Sequence, residues 1–199
     1  MVHRIGYIVG SLAGDSINRV LAGALVRLAP DSLELTEIPI RDLPLYNRDD
    51  ENSPVSAVTE FKQAIEGSDG LLFVSPEYNR SIPGALKNAI DWGSRPWGQN
   101  SFARKPTGII GASIGAIGTA VMQASMRSVL SFLDAPQLNA PEAYITFKPE
   151  VYGPDGEVKD EGTAKFLTHY MDEYAAFVER VLSSTLPGHM GDSDPDTMH

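Results

Sequence analysis

The run Gly70-Leu71-Leu72-Phe73-Val74 leads directly through Ser75 into Pro76-Glu77-Tyr78-Asn79-Arg80-Ser81-Ile82, and then into Pro83-Gly84-Ala85-Leu86-Lys87-Asn88-Ala89-Ile90-Asp91-Trp92. A run so short, with no polar residue on either face, suits a strand covered on both sides, as the inner strands of a parallel sheet are. Pro83 and Gly84 stand where a helix can begin without losing a backbone donor. The segment thus predicts strand, loop and helix in that order. Its loop carries a carboxylate, an aromatic plate and an amide at Glu77, Tyr78 and Asn79, a mixture suited to gripping a flat heterocycle with polar edges.

The same alternation recurs along the chain. Strands are predicted at Arg4–Val9, Leu33–Glu37, Gly70–Val74, Thr107–Ala112 and, from a weaker pattern, Gln137–Ile145. Ile17, Val20, Leu21, Ala24, Leu25 and Leu28 share one face of a helix, and Val58, Phe61 and Ile65 mark a second. Further helices are predicted at Ala85–Trp92, at Thr119–Leu133 and along a final apolar stripe from Phe166 to Leu182. Five strands alternating with five helices imply an α/β fold, a parallel sheet with helices on both faces. Ligands of such sheets bind beyond the carboxyl ends of the strands, where strand order reverses. Three loops therefore form the candidate site: Gly10–Asn18, Ser75–Ser81 and Ala112–Gly118.

Composition removes several alternatives. Among 199 residues there is no cysteine, which excludes disulfides, thiolate catalysis and iron–sulfur ligation and fits a reducing cytoplasm. A net charge of -10, with 16 dispersed basic residues, argues against nucleic acid as a partner. No run approaches the roughly 18 apolar residues of a membrane span, and the first dozen residues lack the pattern of a signal peptide. The chain is expected to be cytoplasmic, with no membrane partner. One domain is expected over residues 1–184, followed by an acidic, Gly- and Pro-containing tail, 185–199, expected to be disordered. Pro39–Pro54 and Lys148–Gly162 look irregular; in the second, Tyr152-Gly153-Pro154-Asp155-Gly156 predicts a turn, and with it a small hairpin.

The first loop, Gly10-Ser11-Leu12-Ala13-Gly14-Asp15-Ser16-Ile17-Asn18, enters a helix, whose free N–H groups and positive end form a natural phosphate cradle. Ser11, Ser16 and Asn18 add side-chain donors, although Ser16 or Asp15 can equally serve as a plain helix cap. In the third loop, Gly111-Ala112-Ser113-Ile114-Gly115 spells G-x-S-x-G, the nucleophile elbow of serine hydrolases, with His169 and Asp134 or Glu142 following in suitable order. His169 lies opposite the apolar stripe of its helix, which places it in solvent. The same glycines also suit a tight turn, or a backbone brought close to a ligand's carbonyl edge with exposed N–H groups to bond it. His3, His169, His189 and His199 have no metal-binding spacing. Trp92 and Trp97 flank a loop where they either pack or shape a pocket.

Together, Gly10-Ser11-Leu12 with Ser16 and Asn18, the long motif from Pro76 to Trp92, and Ser113-Ile114-Gly115-Ala116-Ile117-Gly118 resemble the NADPH-dependent FMN reductase family, its quinone and chromate reductase branch above all. The resemblance reaches to about Leu182. It implies a flavodoxin-like three-layer sandwich with sheet order 2-1-3-4-5, FMN at the switch point, NADPH or NADH as co-substrate, and a homodimer or homotetramer with flavin near the subunit interface. It further implies that Ser11, Ser16, Ile17 and Asn18 hold the phosphate, that Pro76, Glu77, Tyr78 and Asn79 contact the ribityl chain and ring, and that Ala112, Ser113, Gly115 and Gly118 border the pyrimidine edge. The function expected is FMN-dependent oxidoreduction by a ping-pong cycle, with quinones, chromate, azo compounds or free flavin as acceptors. No residue is assigned a catalytic role, and no metal is expected. A flavodoxin-like electron carrier is the alternative, and a Ser113 hydrolase the third. Ala13 stands where members of this family often carry Arg, so phosphate binding is expected to rest mainly on neutral donors and the helix end, with Arg19 or a partner-subunit residue able to compensate.

Overall fold

The computed structural model describes residues 1–153 and 156–184. Five parallel strands, β1 (His3–Val9), β2 (Leu33–Glu37), β3 (Gly70–Val74), β4 (Thr107–Ser113) and β5 (Tyr144–Thr146), form one sheet of order β2-β1-β3-β4-β5. Helices α1 (Ile17–Leu28), α2 (Ser56–Glu66), α3 (Gly84–Gly93), α4 (Ala120–Phe132) and α5 (Glu161–Ser184) cover it. The expected flavodoxin-like α/β architecture and strand order are those observed.

Side chains alternate across a strand, and the inner strands sort accordingly. Leu72 and Val74 of β3, with Ile5, Val9, Ile110 and Ala112, pack against α1 and α5 through Leu21, Leu25, Tyr170 and Tyr174. Leu71 and Phe73, with Ile8 and Ile109, pack against α2, α3 and α4 through Phe61, Ile65, Leu86, Ile90, Met122 and Met126. Every residue of β3 is buried, which explains its uninterrupted apolar run. Tyr174 spans the first layer and donates its hydroxyl to the Leu71 carbonyl at 2.8 Å, and burial pushes its phenol pKa well above the ordinary value.

The fifth strand departs from expectation. Gln137 makes an isolated bridge to Thr107, and the ladder resumes only at Tyr144, which pairs with Gly111. Between these two contacts β4 advances four residues and the facing chain seven, so the facing chain, Pro141 included, leaves the ladder and the expected strand Gln137–Ile145 is broken. At the other irregular segments, Tyr152 bridges Val158 in antiparallel fashion and Gly153 N–H donates to the Glu157 carbonyl at 2.9 Å, as the predicted hairpin requires. Its Pro154 and Asp155, and the tail 185–199, lie outside the described residues. The connection after β2 is pinned to α3: the Asn88 amide and the Trp92 indole both donate to the Pro44 carbonyl at 2.8 Å. Trp92 is therefore a core residue, whereas Trp97 is exposed beneath Arg95. No helix among the described residues is long and apolar enough to cross a membrane.

Candidate flavin site

The loops leaving β1, β3 and β4 converge at one edge of the sheet. Gly10 N–H bonds the Val74 carbonyl at 2.9 Å and Ser75 N–H bonds the Ile110 carbonyl at 3.1 Å, so the three strand exits are knitted together before the chains diverge. Two long-range ties then fix the loops. The first is Asn18, fully buried in the opening turn of α1. Its Nδ2 donates to the Ala112 carbonyl at 2.9 Å and its Oδ1 accepts from the Ala112 N–H at 2.8 Å.

The second tie is Glu77. Its Oε2 accepts from the Val121 and Met122 N–H groups at 3.0 Å, at the start of α4, and its Oε1 accepts from Arg80 at 3.0 Å. The carboxylate caps a helix some forty positions further along the chain, with its charge at the positive end of that helix. Burial pushes its pKa up, but the Met122 N–H, the hydrogen bond and charge of Arg80, and the Val121 N–H together outweigh it and hold the carboxyl below its ordinary 4.5. Between these anchors, Tyr78 and Ser81 bond each other's backbones around Asn79 and Arg80, both at positive φ of 52° and 59°. Two such central residues mark a primed hairpin turn, which glycine usually supplies.

The sign of the Glu77 shift gives a prediction. A carboxyl whose folded pKa is lowered stabilises the fold above its unfolded pKa, and that contribution disappears as pH falls through the folded value. Glu77→Gln keeps an acceptor for the α4 N–H groups but loses the charge, and is expected to cost about 1–2 kcal/mol at neutral pH. Urea melts should show the gap between wild type and variant closing below pH 4.5; a gap that persists unchanged at pH 3 contradicts the assignment.

The predicted site residues divide by what their side chains do. Ser16 precedes α1 and makes no side-chain cap bond, so its hydroxyl is not spent on the helix. Ser11 is buried, accepts from the Ala13 N–H at 3.3 Å and stands 3.5 Å from the Tyr78 hydroxyl. Ile17 is partly buried, its side chain packed against the core. Pro76 is buried, Tyr78 is 50% exposed, and Asn79 is exposed at the turn tip. Three residues are committed elsewhere. Asn18 is a structural tie where a phosphate donor was expected, Ala112 has both backbone polar groups bonded to Asn18, and Gly118 at φ 63° lies against β5, where a Cβ would come within 2.8 Å of the Tyr144 carbonyl carbon. Ser113 and Gly115 remain at the rim, the Ser113 hydroxyl accepting from Gly115 N–H at 3.1 Å.

No hydrogen bond links Ser113 to His169, Asp134 or Glu142 among the described residues. His169 is exposed on α5, Glu142 accepts from the Tyr144 hydroxyl at 2.7 Å, and Asp134 faces Arg104 at 3.8 Å. The elements of a hydrolytic triad are present in the sequence and apart in space.

The family model described as NADPH-dependent FMN reductase matches residues 3–150. The chain belongs to the NADPH-dependent FMN reductase family. It is 47% identical over 178 residues to a 2-hydroxy-1,4-benzoquinone reductase of a Burkholderia species, covering 89% of this chain and 97% of that one. A quinone reductase of Escherichia coli K12 is 41% identical, covering 87% and 94%. Among solved structures, FerB, a flavoenzyme NAD(P)H:(acceptor) oxidoreductase from Paracoccus denitrificans, superposes with a TM-score of 0.87 at 44% identity, over 90% of this chain and 98% of its own. In this FMN reductase the open features at the sheet edge fit the family's cofactor. They are the uncommitted Ser16 hydroxyl, the first N–H groups of α1, which lack acceptors as in any helix, and an apolar rim formed by Tyr78 and Ile114, the latter 83% exposed.

Proposed function

We propose that this chain is a quinone reductase that uses NAD(P)H as donor and works in a ping-pong cycle at a single FMN. When bound, FMN would supply the redox chemistry, hydride acceptance and onward electron transfer to a quinone-like acceptor. The protein binds, orients and tunes. The Ser11 and Ser16 hydroxyls and the Ile17 and Asn18 N–H groups would hold the phosphate at the start of α1. Pro76, Tyr78 and Asn79 support the ribityl chain and ring, and Glu77 keeps that loop in place. N–H groups between Ser113 and Ile117, other than that of Gly115, which the Ser113 hydroxyl accepts, would meet the pyrimidine edge and stabilise negative charge there.

One observation carries this reading: three strand exits are locked together by Asn18 and Glu77, while hydroxyls, helix N–H groups and apolar side chains at the same edge are left open. A homodimer or homotetramer in the cytoplasm is the assembly proposed, supported by the exposed Ile114, Ile117 and Val121 beside the site and by the absence of cysteine. Purified protein should be yellow, and anaerobic NADPH or NADH should bleach it rapidly, with quinone restoring the colour. Slow bleaching by both nucleotides indicates an electron carrier. Colourless protein whose esterase activity disappears in Ser113→Ala overturns the reading.

A further inference from the structure

We infer that Arg41 is the cation of the phosphate subsite, a positioning residue that aims the first loop and adds the positive charge absent from it; the inference rests on the FMN reading above. Between Gly10 and Asn18 the single charged residue is Asp15. A phosphomonoester brings about 1.5 to 2 negative charges at neutral pH, and a helix N-terminus offsets roughly half a charge. Neutral donors alone leave that balance negative.

Two arginines stand near this loop on the β2 side. Arg19, in the first turn of α1, is spent: its Nη1 donates to both carboxylate oxygens of Glu37 at 2.9 Å. Arg41 lies just beyond β2, which pairs with β1, so the two strand exits are neighbours at the sheet edge. Its Nη2 donates to the Leu12 carbonyl. The peptide joining Leu12 to Ala13 has its C=O and N–H on opposite sides. With the carbonyl held by Arg41, the Ala13 N–H on the other side donates to the Ser11 hydroxyl oxygen at 3.3 Å. Ser11 thereby has one lone pair engaged by the Ala13 N–H, and its hydroxyl, 3.5 Å from that of Tyr78, can turn from this long contact to donate to a phosphate oxygen. Among the described residues the rest of the Arg41 guanidinium makes no other hydrogen bond, so its charge is not consumed by a carboxylate as that of Arg19 is.

The test compares FMN with riboflavin, which lacks the phosphate, by quenching of flavin fluorescence on titration of the flavin-stripped protein. Arg41→Gln is expected to weaken FMN on the order of tenfold and riboflavin by less than about twofold. Arg41→Lys should recover part of the loss, because it restores the charge. The gap between wild type and Arg41→Gln should narrow in 1 M salt, where the screening length falls to about 3 Å. Arg19→Gln should leave the preference for FMN over riboflavin intact. Equal weakening of both flavins by Arg41→Gln, or transfer of the phosphate preference to Arg19, overturns the role of Arg41. An Arg41→Gln protein that binds FMN as wild type does so too, with the FMN reading intact; wild-type protein that binds neither flavin overturns both.

Discussion

Gly111→Ala is expected to lower the melting temperature by roughly 6–12 °C and to release flavin from the purified protein. Gly111 sits on β4 where the exits of β3 and β4 cross the start of α4. A Cβ built there falls well inside van der Waals contact with the Ser75 carbonyl oxygen and 2.5 Å from Thr119 Oγ1. The first of these is backbone at the buried exit of β3, so no rotamer change relieves the contact. Overpacking of a tight interior costs about 1–3 kcal/mol, and a clash against backbone belongs at the upper end. For a domain near this size each kcal/mol moves the melting temperature by about 2–4 °C. The structural damage is also aimed. Displacing Ser75 moves the loop that follows it, and displacing Thr119 moves the first turn of α4, to which Glu77 is bonded. Gly14→Ala is the control, since a Cβ there meets nothing within 4 Å. Melts followed by circular dichroism, with flavin content measured on the same samples, compare the two. Equal melting temperatures would mean that the strand exits are looser than their geometry implies.

The architecture, and with it the sheet edge at which the candidate loops meet, is legible in the sequence because it depends on short-range patterns. The apolar run Gly70–Val74 and the helical faces of α1 and α5 record burial directly, and a parallel sheet then dictates which loops meet. β5 is shorter than its apolar pattern suggests because the chain from Gln137 to Tyr144 is three residues too long for the β4 segment it faces, and an apolar pattern does not record register. The residue types at the site are equally legible, but their partners are not. Asn18 and Ala112 are 94 positions apart, and Glu77 and Val121 are 44 apart, and no local spacing announces either pair. Asn18 therefore reads as a ligand donor when its amide is spent on the fold, and Glu77 as a ring contact when its carboxylate caps α4. Arg41 escapes notice because it lies in a connection whose sequence looks merely polar. The twin positive-φ residues at Asn79 and Arg80 are also invisible, since glycine, the usual marker of that turn, is absent.

Asn18→Ala should destabilise the protein by about 2–6 kcal/mol, because it strands both polar groups of the Ala112 peptide backbone in the interior, each at a cost of about 1–3 kcal/mol. A plain cavity is the smaller part of that loss. Asn18→Asp separates the two contributions. The ionised carboxylate of this variant still accepts from the Ala112 N–H, but it sets a buried negative charge against the Ala112 carbonyl oxygen, where Asn18 now places its Nδ2 at 2.9 Å. Such a carboxyl has its folded pKa raised above the unfolded value. Its sign is therefore opposite to that of Glu77: the protonated form, again one donor and one acceptor, is favoured at low pH, and the advantage is lost as pH rises through the raised folded value. Urea melts of Asn18→Asp against wild type should show the deficit largest at neutral pH and shrinking on acidification toward about pH 5, while the deficit of Asn18→Ala stays level. An Asn18→Ala protein as stable as wild type, or an Asn18→Asp deficit that does not respond to pH, would mean that the tie between α1 and β4 does not hold the site together.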